Sequence, residues 1–544
     1  MKSKAILSGE AHPTFNTMIE VLERANSLWP HQEAMVINDQ RLTYSELLRK
    51  VKIYANKLNS LNVSLGDHVA ICMGNSVEWV IFAYAINWIG AVVVPVNTRF
   101  KSDELQYVLS QSDAKVLIIA DEFLGVDFIK ILRNILPEID AQLPGVSLPE
   151  LEHMIVFGKD VPKGAISFDR IKSSETDSNS IQNQINGGTV ALMQYTSGTT
   201  SFPKGVLLTN QNLVYDAWHV SNRLGLNSTD RYFSGRPLFH VAGTTLSMIA
   251  SAVSGACYLT TSKFDPPTVI EIMEKENCTM TSANETMFLM LMNDPSFNPS
   301  KLKLRGGLAA VGSAVANSLV NNLGMKDICL GYGLSESSPN CALSPFTDDL
   351  EQRLRGYAFP LFGLDVKIFE QDTNIEVEVG QSGEICVRGW SVMHGYYKKP
   401  EETAKVIDKK GWLHTGDLGV SDEMGRICFI DRLKDIFRVG GENVAPADLE
   451  NILNSHPEVK QSQVVGVPDD RLQQVAAAYV IKKEGSKLLE SDLIDWCKER
   501  CAGFKVPRYV RFIESFDYIG ITASSKIQRK NLLLQAIKDF NLEK

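Results

Sequence analysis

The chain has 544 residues, 44% of them hydrophobic and 22% charged, with a formal net charge of −9 and a pI near 5.6. That length exceeds what a single core usually serves, so two or more domains are expected. The acidic balance argues against a general nucleic-acid or anionic-membrane partner, both of which need a basic face.

From the N-terminus, residues 15–65 predict an amphipathic helix, a short strand pair (34–37 and 41–43) and a helix begun by Thr43, with Glu46 completing a capping box. MKSKAILSGEAHPTF lacks an apolar h-region, so no secretory signal is expected, and the location expected is cytoplasmic. From Gly66 the pattern alternates: strand 68–73, helix 76–90, strand 91–95, helix 102–112, strand 115–119. Such alternation predicts a parallel sheet covered by helices. The most hydrophobic run, 80–96, is shorter than the roughly 20 residues of a membrane span and contains Asn87, Gly90 and Pro95. It reads as a buried helix and strand, and no integral membrane segment is expected.

A polar stretch, 171–188, leads into QYTSGTTSFPKGVLL (194–208). Here Thr196, Ser197, Thr199, Thr200 and Ser201 supply hydroxyls, Gly198 and Gly205 let backbone N–H groups turn inward, and Lys204 adds a positive charge with no acidic residue nearby. That is the composition of an anion cradle between two strands. It is not a Walker loop, because the lysine stands six positions after Gly198 and is followed by glycine. A helix over 210–224 follows, then PLFHVAG (237–243), renewed strand and helix alternation to about 315, and glycine-rich turns at 305–312 and 331–333. From Val366 short strands and turns suggest a β-rich subdomain. Beyond Lys434 an α+β pattern appears: helix 446–455, strands 459–467 and 475–482, helix 490–501, strand 509–512 and a final helix from Arg529. A domain boundary is placed near 431–435.

Nine cysteines, at 72, 257, 278, 329, 341, 386, 428, 497 and 501, form no C-x-x-C pair, which suits reduced thiols acting as core or inert residues. Further segments gain meaning beside a nucleotide. In GYGLSES (331–337) a tyrosine flanked by glycines can stack on a base; a glutamate there would repel a triphosphate unless Mg²⁺ lay between them. In GWLHTGDLG (411–419) Asp417 either caps its own turn or accepts ribose hydroxyls. Arg432 opens DRLKDIFRVGGENVAPADLE, and Lys526 sits in the Ser-rich turn ITASSKI; each alone reads as an exposed side chain. His240 alone reads as a core histidine.

Together, YTSGTTSFPKG, PLFHVAG, GYGLSES, GEICVRG, GWLHTGDLG, DRLKDIFRVGGEN and ITASSKI, in that order over about residues 15–535, resemble the adenylate-forming superfamily of acyl-CoA synthetases, firefly-type luciferases and peptide-synthetase adenylation domains. The resemblance implies an α/β fold: an N-terminal ATP- and acyl-binding domain (1–431) of parallel-type sheets covered by helices, with a β-rich subdomain at about 345–431, a hinge at 432–435, and a small mobile α+β domain (436–544). It implies two steps, attack of a carboxylate on Mg-ATP to give acyl-adenylate and pyrophosphate, then transfer to a thiol with release of AMP. Thr196, Ser197, Gly198, Thr199, Thr200 and Lys204 would hold phosphates, and Glu336 with Thr196 would bind Mg²⁺. Tyr332, Gly333, Ser335, Gly312, Ser313 and Ala314 would surround adenine, and Asp417 and Arg432 would bind ribose. Lys526 and His240 would be catalytic, Lys434 and Asp435 the hinge, and Gly440 and Gly441 the lining of the thiol channel.

The acyl pocket implied is His240, Val241, Ala242, Gly243, Ala283, Asn284, Val311, Gly312, Gly331, Gly333 and Leu334, rich in small residues and mostly apolar, which suits a fatty or aryl tail. HVAGTTLSMIA lacks the aspartate that pairs with an α-amino group, so an amino acid substrate is disfavoured. The form DRLKDIFRVGGENVAP favours CoA as thiol. Three positions depart from the pattern: Ser201–Phe202 in the phosphate loop, Ser525 before Lys526, and Arg438 after the hinge. Two alternatives stay open: an enzyme that loads a carrier-protein pantetheine or, without the SKL-type ending of beetle luciferases, emits light; and a non-catalytic nucleotide or acyl sensor.

Overall fold

The computed structural model describes residues 9–172, 182–196, 203–371, 373–521 and 527–542. Two eight-stranded sheets organise the first four hundred residues. One runs Ala342–Leu343, Asp327–Tyr332, Gly306–Ala310, Met280–Asn284, Arg231–Ser234, Cys257–Thr260, Glu33–Ile37 and Gln40–Thr43, parallel except at its two ends. The other runs Gly395–Tyr396, Lys204–Thr209, Val190–Thr196, Val92–Pro95, His68–Cys72, Val116–Ala120, His153–Phe157 and Ile166–Ser167, with only its first two junctions antiparallel.

Strand alternation explains the layering. Val69 and Ile71 enter one apolar cluster while Ala70 and Cys72 enter another, and in the first sheet Met35 and Ile37 part from Val36 in the same way. Successive side chains on a strand point to opposite faces, so both faces of each sheet are covered. The shared middle layer holds Met18–Leu28, Tyr44–Ser60, Val77–Trp88 and Asn210–Leu224. Val77–Trp88 is buried all round except at Glu78, as a helix apolar on every face must be. The capping box of Thr43 and Glu46 forms as expected, with Thr43 N donating to the Glu46 carboxylate at 2.9 Å.

An antiparallel sheet of Leu364–Phe369, Ser382–Gly389, Leu413–Ser421 and Ile427–Arg432 follows. After it a five-stranded sheet packs Pro446–Asn454, Glu490–Lys498 and Arg529–Asp539 over a core of its own. No helix among the described residues is long and apolar enough to cross a membrane.

One local reading changes. The glycine-rich stretch expected as a turn at 305–312 is mostly the central strand Gly306–Ala310, whose glycines let the Thr281 and Asp327 backbones come closer than a Cβ would allow. HVAGTTLSMIA is one helical run, Val241–Gly243, then a π-helical Thr244–Ile249, then Ala250–Ser254.

Candidate active site

Three adjacent parallel strands, Met280–Asn284, Gly306–Ala310 and Asp327–Tyr332, end at one edge of the first sheet, with Ala283 opposite Ala309 and Ala309 opposite Leu330. Ligands of open parallel sheets bind outside the carboxyl ends of the strands. At this edge lie Ala283 and Asn284, then Val311 and Gly312, then Gly331, Tyr332, Gly333 and Leu334. The fourth strand, Arg231–Ser234, leads into the PLFHVAG segment. The pocket set scattered in sequence is thereby gathered. Gly243 packs so closely on the Pro237 carbonyl that a side chain would clash, which fixes how the helix starts after His240. His240 Nδ1 accepts from Ala242 N at 3.1 Å, so in the neutral ring the proton is on Nε2.

Tyr332 is almost fully buried. Its hydroxyl donates to Asp417 Oδ2 at 2.8 Å, and its ring stacks on Phe429 at 5.7 Å. Asp417, 2% exposed, lies opposite Arg432 in the antiparallel sheet, and Arg432 Nε reaches Asp417 Oδ1 at 3.0 Å. Asp417 is therefore more than a turn cap. Glu384 holds the turn before it, accepting from Gly416 N at 2.9 Å and lying 2.8 Å from His414 Nδ1, with Cys386 Sγ 3.5 Å from the same nitrogen. Burial pushes the Cys386 thiol well up, so this trio reads as support for the turn.

Gly312 caps the helix Ser313–Leu323, so Ser313 and Ala314 are its first helical residues. Gly312 N donates to Glu285 Oε2 at 2.7 Å, a carboxyl whose pKa burial raises. Asn451, on the helix Pro446–Asn454, sits directly against Gly312, and Asn454 Nδ2 reaches Glu285 at 3.3 Å. The last α+β unit thus covers this edge of the site.

The phosphate-loop hairpin is antiparallel, with Thr196 opposite Lys204. Ser197, Gly198, Thr199, Thr200, Ser201 and Phe202 lie outside the described residues, as do Lys526 and Ser525. Lys204 donates to Glu402 Oε2 at 2.6 Å and stands 4.8 Å over the Tyr396 ring. Lys204 and Lys405 hold the Glu402 carboxyl down at about 2. The Tyr396 hydroxyl donates to Glu336 Oε1 at 2.8 Å, and Ser335 opens the short turn Ser335–Ser337 that carries Glu336. The Glu336 carboxylate is a hard oxygen donor of the kind that suits Mg²⁺. Farther off, Lys434 and Asp435 lie between the last two sheets, with Asp435 N donating to Arg432 O at 2.9 Å. Gly440 and Gly441 form the two-residue turn between Phe437–Val439 and Glu442–Val444, both at positive φ.

Tyr396, Glu402, Phe429, Glu285 and Asn451 were not expected at this site. Tyr396 and Glu402 occur in GYYKKPEET, close enough in sequence to be read as one motif; Glu285 and Asn451 have no local signal.

The sequence matches the AMP-binding enzyme family over residues 22–397 and the AMP-binding enzyme C-terminal domain over 448–526. It is 37% identical to YngI of Bacillus subtilis, a protein named as an acyl-CoA synthetase, covering 97% of this chain and 98% of that one. It is 30% identical to the bovine mitochondrial medium-chain acyl-CoA ligase ACSF2, covering 98% and 89%. A crystal structure of the anthranilate CoA ligase AuaEII with anthranoyl-AMP superposes over the whole of both chains with a TM-score of 0.83 at 25% identity. The chain belongs to the AMP-binding enzyme family, in its adenylate-forming acyl- and aryl-CoA ligase branch.

Proposed function

We propose that this protein is an AMP-forming acyl-CoA synthetase that activates a fatty or aryl acid with ATP and passes the acyl group to CoA. The observation that supports it best is the joining of Tyr332, at the end of a parallel strand, to the buried Asp417 and through it to Arg432. This ties a base-stacking ring to a carboxylate suited to ribose, beside the strand ends that carry the acyl pocket.

In the first step an oxygen of the acid attacks the α-phosphorus of ATP, and the bond to pyrophosphate breaks. The residues 197–202 with Lys204 hold the β- and γ-phosphates; Lys204 must then exchange Glu402 for phosphate oxygens. Mg²⁺ accompanying ATP would be held by Glu336 with Thr196, and would neutralise charge on the departing pyrophosphate. His240, its Nδ1 committed to the backbone, would act through Nε2, and Lys526 would bridge the carboxylate and the α-phosphate. Positioning and charge stabilisation supply most of the rate. In the second step the CoA sulfur attacks the acyl carbon, the bond to AMP breaks, and AMP leaves. We place residues 1–431 and 436–544 as separate domains joined at 432–435, with Gly440 and Gly441 beside the thiol path after the small domain turns. A cytoplasmic location fits this use of CoA, and a carrier-protein pantetheine is the alternative acceptor.

ATP–pyrophosphate exchange dependent on a carboxylic acid tests the first step. Lys526→Ala is expected to abolish exchange while ATP binding, followed by calorimetry, persists; exchange surviving that change would remove Lys526 from the reaction. Saturable thioester formation with free CoA distinguishes CoA from a carrier protein.

A further inference from the structure

A charge that the motif reading left out stands against Ala283, a member of the expected acyl-pocket set. Arg236, one residue before PLFHVAG, donates through Nε to Ser282 Oγ at 2.8 Å and through Nη2 to the Ala283 carbonyl at 3.0 Å. Both partners are neutral, and no carboxylate among the described residues pairs with this guanidinium. The other arginines of the same sheet are paired: Arg231 with Glu33 and Glu276, and Arg305 with Asp230 and Asp327. Arg353, which also lacks a carboxylate, spends all three nitrogens on backbone carbonyls. Arg236 Nη1 makes no such bond among the described residues.

The surroundings keep Arg236 in place. Asn75 clamps its backbone, Nδ2 donating to Arg236 O at 3.1 Å and Oδ1 accepting from Leu238 N at 2.7 Å. Ser234, Ser247 and Ser282 are fully buried hydroxyls on the same strand ends and the facing π-helical segment, and Ser247 Oγ donates to Ser234 Oγ at 2.9 Å. Removal from water holds the Arg236 pKa below the usual guanidinium value. Arg236 is half-buried; a cation partly withdrawn from water with only neutral protein partners gains from an anion, and a planar guanidinium is matched by the two oxygens of a carboxylate. Ala283, whose carbonyl Arg236 holds, belongs to the expected pocket set, which puts this charge beside the proposed acyl site. In the proposed reaction the reacting carboxylate is assigned to Lys526 and the α-phosphate, which leaves Arg236 for a different group.

We propose that Arg236 is the specificity-determining residue of the acyl pocket and binds a second carboxylate at the far end of the acid, so that the substrate class is dicarboxylic acids. This rests on the acyl-CoA synthetase reading above. It replaces a purely apolar tail with one ending in an anion.

The test compares straight-chain monocarboxylic and α,ω-dicarboxylic acids of matched length on the full chain, wild type against Arg236→Met, by ATP–pyrophosphate exchange and by the thermal shift each acid produces without ATP. Wild type is expected to favour the diacid. Arg236→Met should lose about 10- to 100-fold in kcat/KM for the diacid, the range for a charged hydrogen-bonded pair, while holding or gaining activity on the monoacid. The diacid thermal shift should vanish in the variant. A wild-type preference for the monoacid, or equal losses on both acids, would overturn the role of Arg236. Absence of exchange with every acid would instead count against the synthetase reading, and the diacid thermal shift, present in wild type and absent in Arg236→Met, would still decide the binding site.

Discussion

Tyr332 shows how much a single residue's role depends on partners distant in sequence. Flanked by Gly331 and Gly333, it reads as a free ring offered to a base. In the fold one ring face meets Phe429 and the hydroxyl is committed to the buried Asp417, 85 residues on. Tyr332→Phe keeps the stack and removes the donor from a buried carboxylate, a loss of about 1.5–3 kcal/mol for a hydrogen bond to a charged group. Urea unfolding should show that decrease, and the KM for ATP should rise about tenfold. Lys204 carries a similar lesson: its charge is legible in PKG, but its engagement with Glu402 depends on Gly395–Tyr396 pairing beside the hairpin.

At the scale of one element, the helix Asn210–Leu224 has ends that local chemistry sets. Thr209 Oγ1 accepts from Asn212 N at 3.2 Å, and Gly225 ends the helix at φ +66. Its buried face is another matter. Asp216, His219 and Arg223 point inward, Arg223 to Glu10 and His219 to His12 at 3.1 Å. Burial holds the His219 pKa at about 3, against 6.5 for the unfolded chain. The folded protein thus leaves this ring neutral while the unfolded chain takes up a proton below pH 6.5. Its contribution is full above that pH and declines by about 1.4 kcal/mol per pH unit as pH falls toward 3. Between pH 7.5 and 5.0, wild type should lose about 2 kcal/mol more unfolding free energy than His219→Gln; equal losses would show that His219 is protonated in the native state.

For the whole molecule, the question is how the last α+β unit works against the rest. Asn451 and Asn454 rest on Gly312 and Glu285, and Arg529 lies 2.8 Å from Glu450 and 3.4 Å from Asp431. These contacts define one arrangement, covering the strand ends. We propose a second arrangement, reached by rotation at 432–435, in which the Gly440–Gly441 turn would approach the thiol path. Lys434→Pro fixes φ near −65° and is expected to leave ATP–pyrophosphate exchange within a few-fold of wild type while stopping CoA thioester formation, measured by thioester appearance after exchange is established. Equal loss of both steps would place the hinge elsewhere.

Hydrophobic period, turn residues and capping boxes determined the element order, because each depends on neighbours within a few positions. The strand and helix alternation from Gly66, the buried run over Val77–Trp88 and the change to short strands after Val366 were all legible this way. Motif order identified the family and the candidate residues, since recognition of a nucleotide demands particular residue types in short segments. What tertiary structure alone decided is which of those residues meet and what they meet. Sheet order brings strand ends from 280 to 332 to a single edge, the antiparallel pairing sets Arg432 opposite Asp417, and Arg236 is left on two neutral oxygens. Such pairings are set by register and packing between segments tens to hundreds of residues apart, which no local pattern records.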